Sequence, residues 1–409
     1  MSTERMSTDA SALPATASSS LFESFWMGGF ESSCHINRRG RRLDMIKATQ
    51  HDLQAKGDYA LLRGVGILSA RDGVRWHLVE RTPGRYDFSS LEPQLKAAQG
   101  QGVQVVWDLL HYGWPDYLDV FKPAFVDRFA RFAGAVARFV KDNTSTAPVY
   151  TPVNEISFLA WAAGQVGYFH PFAKGRGGAL KQQLIRAAIA ASEAIWAADP
   201  RARLVTAEPV IHVVPPRGKA RYAGAAARKR LSQFEAWDML SGRLSPELGG
   251  QPRYLGAVGV NFYHDNQWQH PGAKRLGWDE HPLDARWLPF HRLLQEVWAR
   301  YERPLFVAET SHFGVGRAAW LRAVTTEVQT ARALGVPLLG VCLYPILDRP
   351  DWDRPRHWHH SGLWDLRPKE DGRLERVLEP GYAAELRRSQ ELIAGDEAGS
   401  EVSATRRRS

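Results

Sequence analysis

Four short apolar runs of strand length, separated by longer stretches with helical periodicity, constrain the fold more than any other feature of this sequence. The runs occupy residues 103–107, 203–207, 304–308 and 338–342. They lack the alternation of a strand with one solvated face, so each is predicted to be buried on both faces, as in a parallel sheet. The chain is therefore predicted to be an α/β protein.

The stretches between these runs carry amphipathic helical patterns. In residues 123–139, phenylalanine and valine recur every three or four positions behind a proline, a residue favoured in the first turn of a helix. Similar stripes run through residues 180–195, 287–297 and 321–334, and Gly335 follows the last of them as a helix terminator. These segments are predicted to be helices that cover the sheet.

Eight candidate strands can be placed, and all but the first precede plausible helical sequence. Eight βα units in about 370 residues favour a single (β/α)₈ TIM barrel with long βα loops. A doubly wound sheet is the alternative, but the glycine clusters at 64–66 and 175–178 lack the strand-flanked fingerprint of a phosphate-binding loop. The candidate strands lie near positions 25, 73, 103, 148, 203, 256, 305 and 339.

The barrel is expected to occupy residues 22–393. Residues 1–21 mix acids with Ser, Thr, Ala and Pro and lack the basic and apolar regions of a signal peptide, so we expect a disordered leader. Residues 394–409 are expected to form a disordered polar tail. The chain has two cysteines, Cys34 and Cys342, which are too few for a disulfide framework and fit free thiols in a reducing, cytoplasmic compartment.

Composition and charge exclude several classes of partner. No run approaches the ~20 apolar residues of a membrane span, so no membrane partner is expected. The net charge of +9 includes three arginines at 406–408. The other basic residues are scattered, without the recognition helix or aromatic-interleaved ribbon of a nucleic-acid-binding protein, so no nucleic-acid partner is expected. Nothing in the sequence indicates an oligomeric state.

Two glutamates follow predicted strands at the face where barrel enzymes place their reactive groups. Glu155 ends the run TPVNE behind strand four, and Glu309 ends PLFVAE on strand seven. Two carboxyls across a barrel mouth can cleave an acetal, because one keeps a proton for the leaving oxygen and the other is ionised to meet the oxocarbenium-like transition state. A separation of ~5–5.5 Å would make the ionised carboxylate a nucleophile and the reaction retaining. Two surface or helix-capping glutamates are the alternative.

These motifs occur with others in an order that resembles the retaining β-glycosidases of clan A, most closely glycoside hydrolase family 1. TPVNE resembles the acid/base motif of that family, and PLFVAETS is similar to its nucleophile motif, with Glu-Thr-Ser in place of Glu-Asn-Gly. The resemblance covers about residues 22–390. It implies that Glu155 is the acid/base and Glu309 the nucleophile, and Asn154 can bond the 2-hydroxyl of the sugar.

Other segments are similar to the strand ends of the same family. LLHYGWPDYL resembles the strand-three segment that holds the sugar, which implies that His111 and Tyr112 bind substrate. VGVNFYHDNQW resembles the strand-six segment whose tyrosine bonds the nucleophile, here Tyr263. GVRWHLVERTPGRYDF resembles the strand-two segment, and Arg75 matches its arginine beside the nucleophile.

Two segments imply further substrate-binding residues but depart from the family pattern. FWMGGFESSCHI resembles the segment that carries a glycone-binding glutamine, and His35 occupies that place. YPILDRPDW resembles the strand-eight segment WSLLDNFEW, which makes Tyr344 the sugar platform, Asp351 the acid that grips hydroxyls and Trp352 a second aromatic. The glycone and the aglycone are not readable from these residues.

The resemblance implies a retaining β-glycosidase that acts on a β-linked glycoside and needs no cofactor. A transglycosidase that uses the same intermediate is an alternative, since the two differ only in the acceptor. A catalytically silent barrel that binds a glycan or a protein is another, because the sequence after Glu309 is altered.

Charged residues after strand eight suggest two further hypotheses. An Asp/His cluster could bind zinc, but a barrel metal hydrolase usually draws its ligands from several strand ends, so no metal is expected. The basic residues of the same segment raise the hypothesis of an anionic glycone. The cluster comprises Asp351, Asp353, His357, His359 and His360, and the basic residues are Arg349, Arg354, Arg356 and His357.

Overall fold

The computed structural model describes residues 20–406, with side chains as far as residue 395. Twelve β-strands lie in this part of the chain. They are β1 (Trp26–Gly29), β2 (Ser69–Gly73), β3 (Gln104–Asp108), β4 (Val149–Thr151), β5 (Arg203–Pro209), β6 (His212–Val214), β7 (Ala257–Asn261), β8 (Gln267–Gln269), β9 (Leu305–Thr310), β10 (Leu338–Leu343), β11 (Trp364–Pro368) and β12 (Leu374–Leu378).

The α-helices alternate with the strands. They are α1 (Met45–Ala48), α2 (His51–Gly64), α3 (Trp76–Val79), α4 (Glu92–Gln101), α5 (Pro123–Asp142), α6 (Ile156–Leu159), α7 (Gly177–Ala198), α8 (Ala223–Leu231), α9 (Glu235–Leu240), α10 (Phe290–Tyr301), α11 (Gly316–Ala333) and α12 (Pro380–Arg406). A π-helical turn, Ala160–Gln165, follows α6, and 3₁₀ turns occupy Phe88–Ser90, Ala220–Tyr222, Ser232–Phe234, Pro246–Leu248 and Pro252–Tyr254. In the part of the chain described, none of the helices has the length and apolar character needed to cross a membrane.

Eight of the strands are parallel and close into one barrel, which confirms the predicted (β/α)₈ architecture. The order around the barrel is β1–β10–β9–β7–β5–β4–β3–β2, so the ring follows the chain and the first strand pairs with the last. On its two sides β1 is in register with Ser69 of β2 and Val341 of β10. Each predicted strand position lies in or beside one of these eight strands.

Two smaller sheets lie outside the barrel. Strands β6 and β8 form a parallel pair in the loops that follow β5 and β7, and β11 and β12 form an antiparallel hairpin after β10. Both therefore belong to the long βα loops that the sequence predicts.

The four predicted helical stripes correspond to α5, α7, α10 and α11. In α5, Phe125, Phe129 and Phe132 are fully buried, since their spacing places them on one face of the helix. Helix α10 begins at Phe290 rather than at Trp287, because Pro289 in an extended conformation precedes its first turn.

The core has an inner and an outer layer, because every barrel strand is buried on both faces. Alternate side chains of β9 show the division: Leu305 and Val307 pack outward against the helices, and Phe306 packs inside the barrel. Phe22, ahead of β1, lies 5.0 Å from Phe306 between ring centroids and fills the N-terminal end of the interior. The cysteines are buried and unpaired, as predicted.

Helix α12 extends beyond the predicted end of the barrel domain. Leu386 and Ile393 are buried on its inner face, and Ser389 accepts a hydrogen bond of 2.9 Å from Thr325 of α11. The segment predicted as a disordered tail continues helix α12 as far as Arg406. Residues 407–409 and all of the predicted leader except residues 20 and 21 lie outside the described residues.

Candidate active site

A cavity of about 1190 Å³ opens at the carboxyl ends of the barrel strands. Glu155, behind β4, and Glu309, on β9, both line it. The structure thus brings together the two glutamates that lie 154 positions apart in the sequence, 309 minus 155. The predicted site residues that line the cavity are His111, Tyr112, Glu155, Tyr263, Glu309, Tyr344 and Trp352.

A β-bulge aims Glu309 into the cavity. Val260 of β7 is in register with Val307, but the next residue, Asn261, is in register with Glu309, so β9 contains one extra residue at this point. A bulge of this kind re-aims a side chain by interrupting the regular alternation of a strand. Ala308 faces the barrel interior, and the neighbouring Glu309 also turns toward the mouth instead of toward the helices.

Both oxygens of the Glu309 carboxylate are held by hydrogen-bond donors. Arg71 Nη1 donates to Oε1 at 3.1 Å, and the Tyr263 hydroxyl donates to Oε2 at 2.8 Å. Glu309 is only 4% exposed. A buried carboxylate with one guanidinium and one hydroxyl partner is stabilised in its ionised form.

The arginine beside Glu309 is Arg71, and the prediction of Arg75 for this place is wrong. Arg71 lies on β2, where its side chain points into the barrel, and it also donates to the Ala308 carbonyl at 2.7 Å. Arg75 lies beyond the end of β2 and pairs instead with Asp44 at 3.1 Å and with Asp52 at 3.4 Å. Arg75 lies four residues after Arg71 and two residues beyond the end of β2, which places it outside the barrel.

Glu155 lies in a strained backbone conformation at the start of α6. Its φ of +48° is in the left-handed region, which costs a non-glycine residue free energy and is common at functional sites. Its backbone N–H donates to the Ala207 carbonyl of β5 at 2.9 Å, which fixes this conformation. The side-chain oxygens contact Tyr112 Oη and Asn261 Nδ2, the latter at 2.8 Å.

The environment of Glu155 favours its protonated form. Burial and the charge of Glu309 raise the pKa of Glu155 to about 8, although hydrogen bonds from Tyr112 and Asn261 act in the opposite direction. Glu208, at the end of β5, is a further buried carboxyl that accepts the amide N–H of Ser157, and burial raises its pKa to about 7. The two cavity glutamates therefore have opposite surroundings, one favouring a proton and the other favouring charge.

A polar network connects the strand-three segment to Arg71. The Arg71 Nη2 group donates to Asp108 at 2.7 Å and to Asn154 at 2.8 Å. His111 Nδ1 lies 3.3 Å from the same Asp108 carboxylate, and its other ring nitrogen lies 3.3 Å from Asn154 Nδ2. Burial opposes the ionisation of Asp108, but Arg71 outweighs it and the pKa of this carboxyl is lowered. Asn154 is fully buried beneath the cavity.

Tyr344 occupies the predicted position on the cavity wall beside His111. The two rings are parallel to within 5°, with centroids 5.8 Å apart, and the Arg71 guanidinium lies 5.2 Å from the Tyr344 ring centroid. The tyrosine ring packs directly over Gly29 at the end of β1, where a Cβ atom would overlap it. The second glycine of the GG pair is therefore needed for the close approach of this ring.

Besides Arg75 and Asn154, two predicted substrate-binding residues, His35 and Asp351, do not line the cavity. His35 lies behind the cavity wall, with its ring centroid 4.3 Å from Phe169 and 4.7 Å from Trp352, and burial lowers its pKa to about 3. Asp351 points along its own loop, where it accepts the N–H groups of Asp353 and Arg354. Trp352, which separates these residues from the cavity, does line it.

An ion pair between Glu31 and Arg349 lies on the cavity wall. Glu31 follows β1, and its Oε2 atom lies 3.1 Å from Nε of Arg349. Glu31 also accepts hydrogen bonds from the backbone and side chain of Ser33. Burial opposes its ionisation, yet Arg349 and His111 outweigh burial and lower the pKa of Glu31. Both members of the pair line the cavity.

The other charged residues after β10 do not converge on the cavity. Of the four basic residues suggested for an anionic glycone, Arg349 alone lines it, and Glu31 already neutralises Arg349. Within the Asp/His cluster, His359 pairs with Asp351 at 3.3 Å and Asp353 pairs with Arg38 at 3.1 Å. The five residues of that cluster therefore do not form the suggested zinc site.

Solved structures with the same fold include the β-glucosidase from Thermotoga maritima in complex with glucoimidazole. Its TM-score with this chain is 0.72 at 15% identity, with 91% of this chain and 99% of that chain covered. The family 1 β-glucosidase from Thermotoga maritima gives 0.67 at 15% identity, covering 84% and 87%. The AHE enzyme from Alicyclobacillus herbarius gives 0.69 at 16% identity, covering 85% and 87%.

The chain has the barrel fold of a family 1 β-glucosidase. The predicted resemblance is thereby confirmed at the level of the fold. No protein-family model matches the sequence, and no curated protein is similar to it in sequence. At 15–16% identity, the chain shares the barrel of these solved structures while most of its side chains differ from theirs.

Four residues at or beneath the cavity were missed in the sequence. Asp108 and Asn261 end β3 and β7 just as Glu309 lies near the end of β9, so a polar residue directly after an apolar run was an available signal. Arg71 was missed because Arg75 was matched to its place, and the polar run SARDG gives no apolar pattern that shows which residue of β2 points inward. Glu31 had no such signal, because its partner Arg349 lies far away in the sequence.

Replacement of Arg71 by methionine should lower the free energy of unfolding by about 3–5 kcal/mol, because it removes the guanidinium that compensates the buried carboxylates of Asp108 and Glu309. Arg75→Met is the matched control. Its partners Asp44 and Asp52 have side chains 16% and 22% exposed, so water can solvate them and the loss should be smaller. Urea unfolding of both variants measures the difference. Equal losses would contradict the central role of Arg71.

Proposed function

We propose that this protein is a retaining β-glycosidase. Glu155 is the general acid/base and Glu309 is the nucleophile. Tyr263 and Arg71 orient Glu309, and the polar and aromatic residues around the cavity bind the substrate. No cofactor takes part in this scheme. The proposed substrates are β-linked glycosides. The identity of the glycone is a matter for experiment.

The observation that carries this proposal is the unequal environment of the two glutamates in one cavity. Glu309 has a guanidinium and a hydroxyl on its two oxygens, which favours the ionised form that a nucleophile requires. The pKa of Glu155 is raised to about 8 by burial and by the charge of Glu309, which favours the protonated form that a general acid requires. Cleavage of a glycosidic bond with retention needs one carboxyl that can donate a proton and a second carboxylate that can attack.

The proposed reaction has two steps. In the first, a Glu309 oxygen forms a bond to the anomeric carbon, the glycosidic C–O bond breaks, and the leaving oxygen takes the proton of Glu155. In the second, the Glu155 carboxylate accepts a proton from water, whose oxygen attacks the anomeric carbon and displaces Glu309. Formation of the glycosyl-enzyme removes the negative charge of Glu309, so the pKa of Glu155 falls when it must act as a base.

The Glu31–Arg349 pair supports a neutral glycone as the substrate. A carboxylate and a guanidinium side by side offer both an acceptor and donors for sugar hydroxyl groups. Since Glu31 neutralises Arg349, an anionic group on the glycone would meet a carboxylate as well as the cation and gain little from the pair. Aromatic faces at Tyr344 and Trp352 are suited to contact with the apolar side of a sugar ring.

We also propose that the protein acts in the cytoplasm. Both cysteines are buried and unpaired, as is usual for a protein of a reducing compartment.

Incubation with 2-deoxy-2-fluoro-β-glycosides of several neutral sugars tests the mechanism directly. Replacement of the 2-hydroxyl by fluorine slows both steps, because both have oxocarbenium-like transition states. A dinitrophenyl leaving group accelerates the first step alone, so the glycosyl-enzyme should accumulate. We expect one adduct by intact-mass analysis and its location on Glu309 by peptide mapping. The Glu309→Gln and Glu155→Gln variants should lower kcat on aryl β-glycosides by about 10³-fold or more, because each removes an essential acid, base or nucleophile.

Glu385→Gln is the matched control for these two variants. Glu385 is 5% exposed, close to the 4% of Glu309 and the 8% of Glu155, but it lies on α12 and pairs with Arg322. It should leave kcat unchanged. An adduct on another residue, or normal turnover by Glu309→Gln, would exclude the proposed nucleophile. A folded protein with no adduct and no turnover on any of the sugars would favour a silent glycan-binding barrel.

The pH profile of kcat/KM provides an independent test of the role of Glu155. The general acid is active while protonated, so kcat/KM should fall as the pH rises through the pKa of about 8. Measurement of initial rates across neutral and alkaline pH, with circular dichroism as a check that the fold persists, locates this limb. A value of kcat/KM that stays constant well above pH 8 would contradict the assignment.

Glu31→Gln should change the preference between neutral and anionic glycones. The substitution removes the carboxylate that neutralises Arg349, so Arg349 can bind the carboxylate of a glucuronide. The ratio of kcat/KM for aryl β-glucuronides to that for aryl β-glucosides should rise about tenfold, which corresponds to one additional charge-assisted hydrogen bond. Arg354→Gln is the control, because Arg354 has a side chain 69% exposed and does not line the cavity. An unchanged ratio in Glu31→Gln would remove the ion pair from the glycone site.

A further inference from the structure

Three potential metal ligands meet beside the loop that follows β10. They are Asp348, His360 and Asp365, and one ligand atom from each lies within 4.8 Å of the others. His360 Nδ1 is 3.7 Å from Oδ2 of Asp348 and 3.4 Å from Oδ2 of Asp365. The group differs from the cluster suggested by the sequence, with which it shares His360 alone, because Asp365 comes from strand β11.

Asp348 carries the feature that distinguishes this group from an ordinary charged cluster. Its side chain is completely buried, and its Oδ2 atom has no hydrogen-bond partner among the described residues. The other oxygen, Oδ1, accepts the N–H groups of Arg349 at 2.8 Å and Ser361 at 3.2 Å. A buried carboxylate oxygen without a donor is costly. The two amides fix the carboxylate so that this unsatisfied oxygen faces His360.

Asp365 is held in a similar way. Its Oδ1 atom accepts a hydrogen bond of 2.8 Å from Arg317, and its Oδ2 atom faces His360. Each carboxylate therefore uses one oxygen for the protein and turns the other toward the same point. Supporting hydrogen bonds that orient the ligands in this manner are typical of metal sites.

We propose that Asp348, His360 and Asp365 form a Zn²⁺ site. Zinc takes nitrogen and carboxylate ligands at ~2.0–2.2 Å in tetrahedral geometry, which places neighbouring ligand atoms about 3.3–3.5 Å apart. The contacts of 3.4 and 3.7 Å need little adjustment to reach that spacing. A histidine nitrogen argues against Ca²⁺ and Mg²⁺, which prefer oxygen ligands. The His360 side chain is 57% exposed, so solvent can supply the fourth ligand.

The site would connect two parts of the C-terminal region. Asp348 and His360 lie at the two ends of the loop after β10, and Asp365 lies on the hairpin of β11 and β12. The same loop carries Arg349 and Trp352 to the cavity. The ion would close this loop and attach it to the hairpin, so its role is structural. This inference is independent of the proposed glycosidase activity.

Zinc content after equilibrium dialysis provides the test. The full-length protein is stripped with a chelator, dialysed against micromolar ZnCl₂ and analysed for bound metal, and its melting temperature is measured with and without zinc. We expect one Zn²⁺ per chain and a higher melting temperature with zinc. His360→Asn and Asp365→Asn should each weaken zinc binding by about 100-fold or more, since each removes a ligand. Asparagine suits position 360 because φ is +52° there.

His357→Asn is the matched control, since His357 is an exposed histidine of the same loop that is not part of the group. It should bind zinc like the unaltered protein. Replacement of Zn²⁺ by Co²⁺ should give the visible absorption of a tetrahedral site in the control and not in His360→Asn. Absence of zinc binding by the unaltered protein would overturn the proposal, and so would equal binding by His360→Asn and Asp365→Asn.

Discussion

The mouth of this barrel is organised around one buried cation. Arg71 is completely buried and reaches the ends of several strands, with hydrogen bonds to Asp108, Asn154, Glu309 and the carbonyl of Ala308. Without it, two carboxylates would share an interior from which water is largely excluded, an arrangement that proteins avoid. The guanidinium suits this position better than an ammonium group, because its planar set of donors can serve partners in several directions.

Contact with this cation also distinguishes the surroundings of the two cavity glutamates. Glu309 lies in direct contact with Arg71, whereas Glu155 contacts neutral donors, Tyr112 and Asn261. Each negative charge near Glu155 that is not neutralised makes its ionisation harder. Strain adds a geometric restriction: Tyr112 and Glu155 both have positive φ values, +69° and +48°, and their side chains contact one another. The barrel holds this pair in place through backbone bonds to neighbouring strands.

The barrel could be predicted from the sequence because burial on both faces leaves strands such as 304–308 almost entirely apolar. The two glutamates could be predicted because they follow such strands. Arg71 could not be placed in the same way, since its direction depends on the pleat of β2. Arg75, four residues later, pairs with Asp44 outside the barrel. The Glu31–Arg349 and Asp348–Asp365 relationships arise from loop packing, which no local pattern specifies. The contact of α12 with α11, through Ser389 and Thr325, likewise joins elements that are distant in the sequence.

The packed interior below the cavity limits the route by which substrate and product can move. Phe22, Met27 and Phe306 fill the barrel from its N-terminal end up to the layer beneath the glutamates. A molecule that occupies the inner end of the cavity therefore leaves by the path along which it came, between the βα loops. Substrate and leaving group therefore use the same opening of the cavity. A leaving group that dissociates slowly delays the access of water or of any other acceptor.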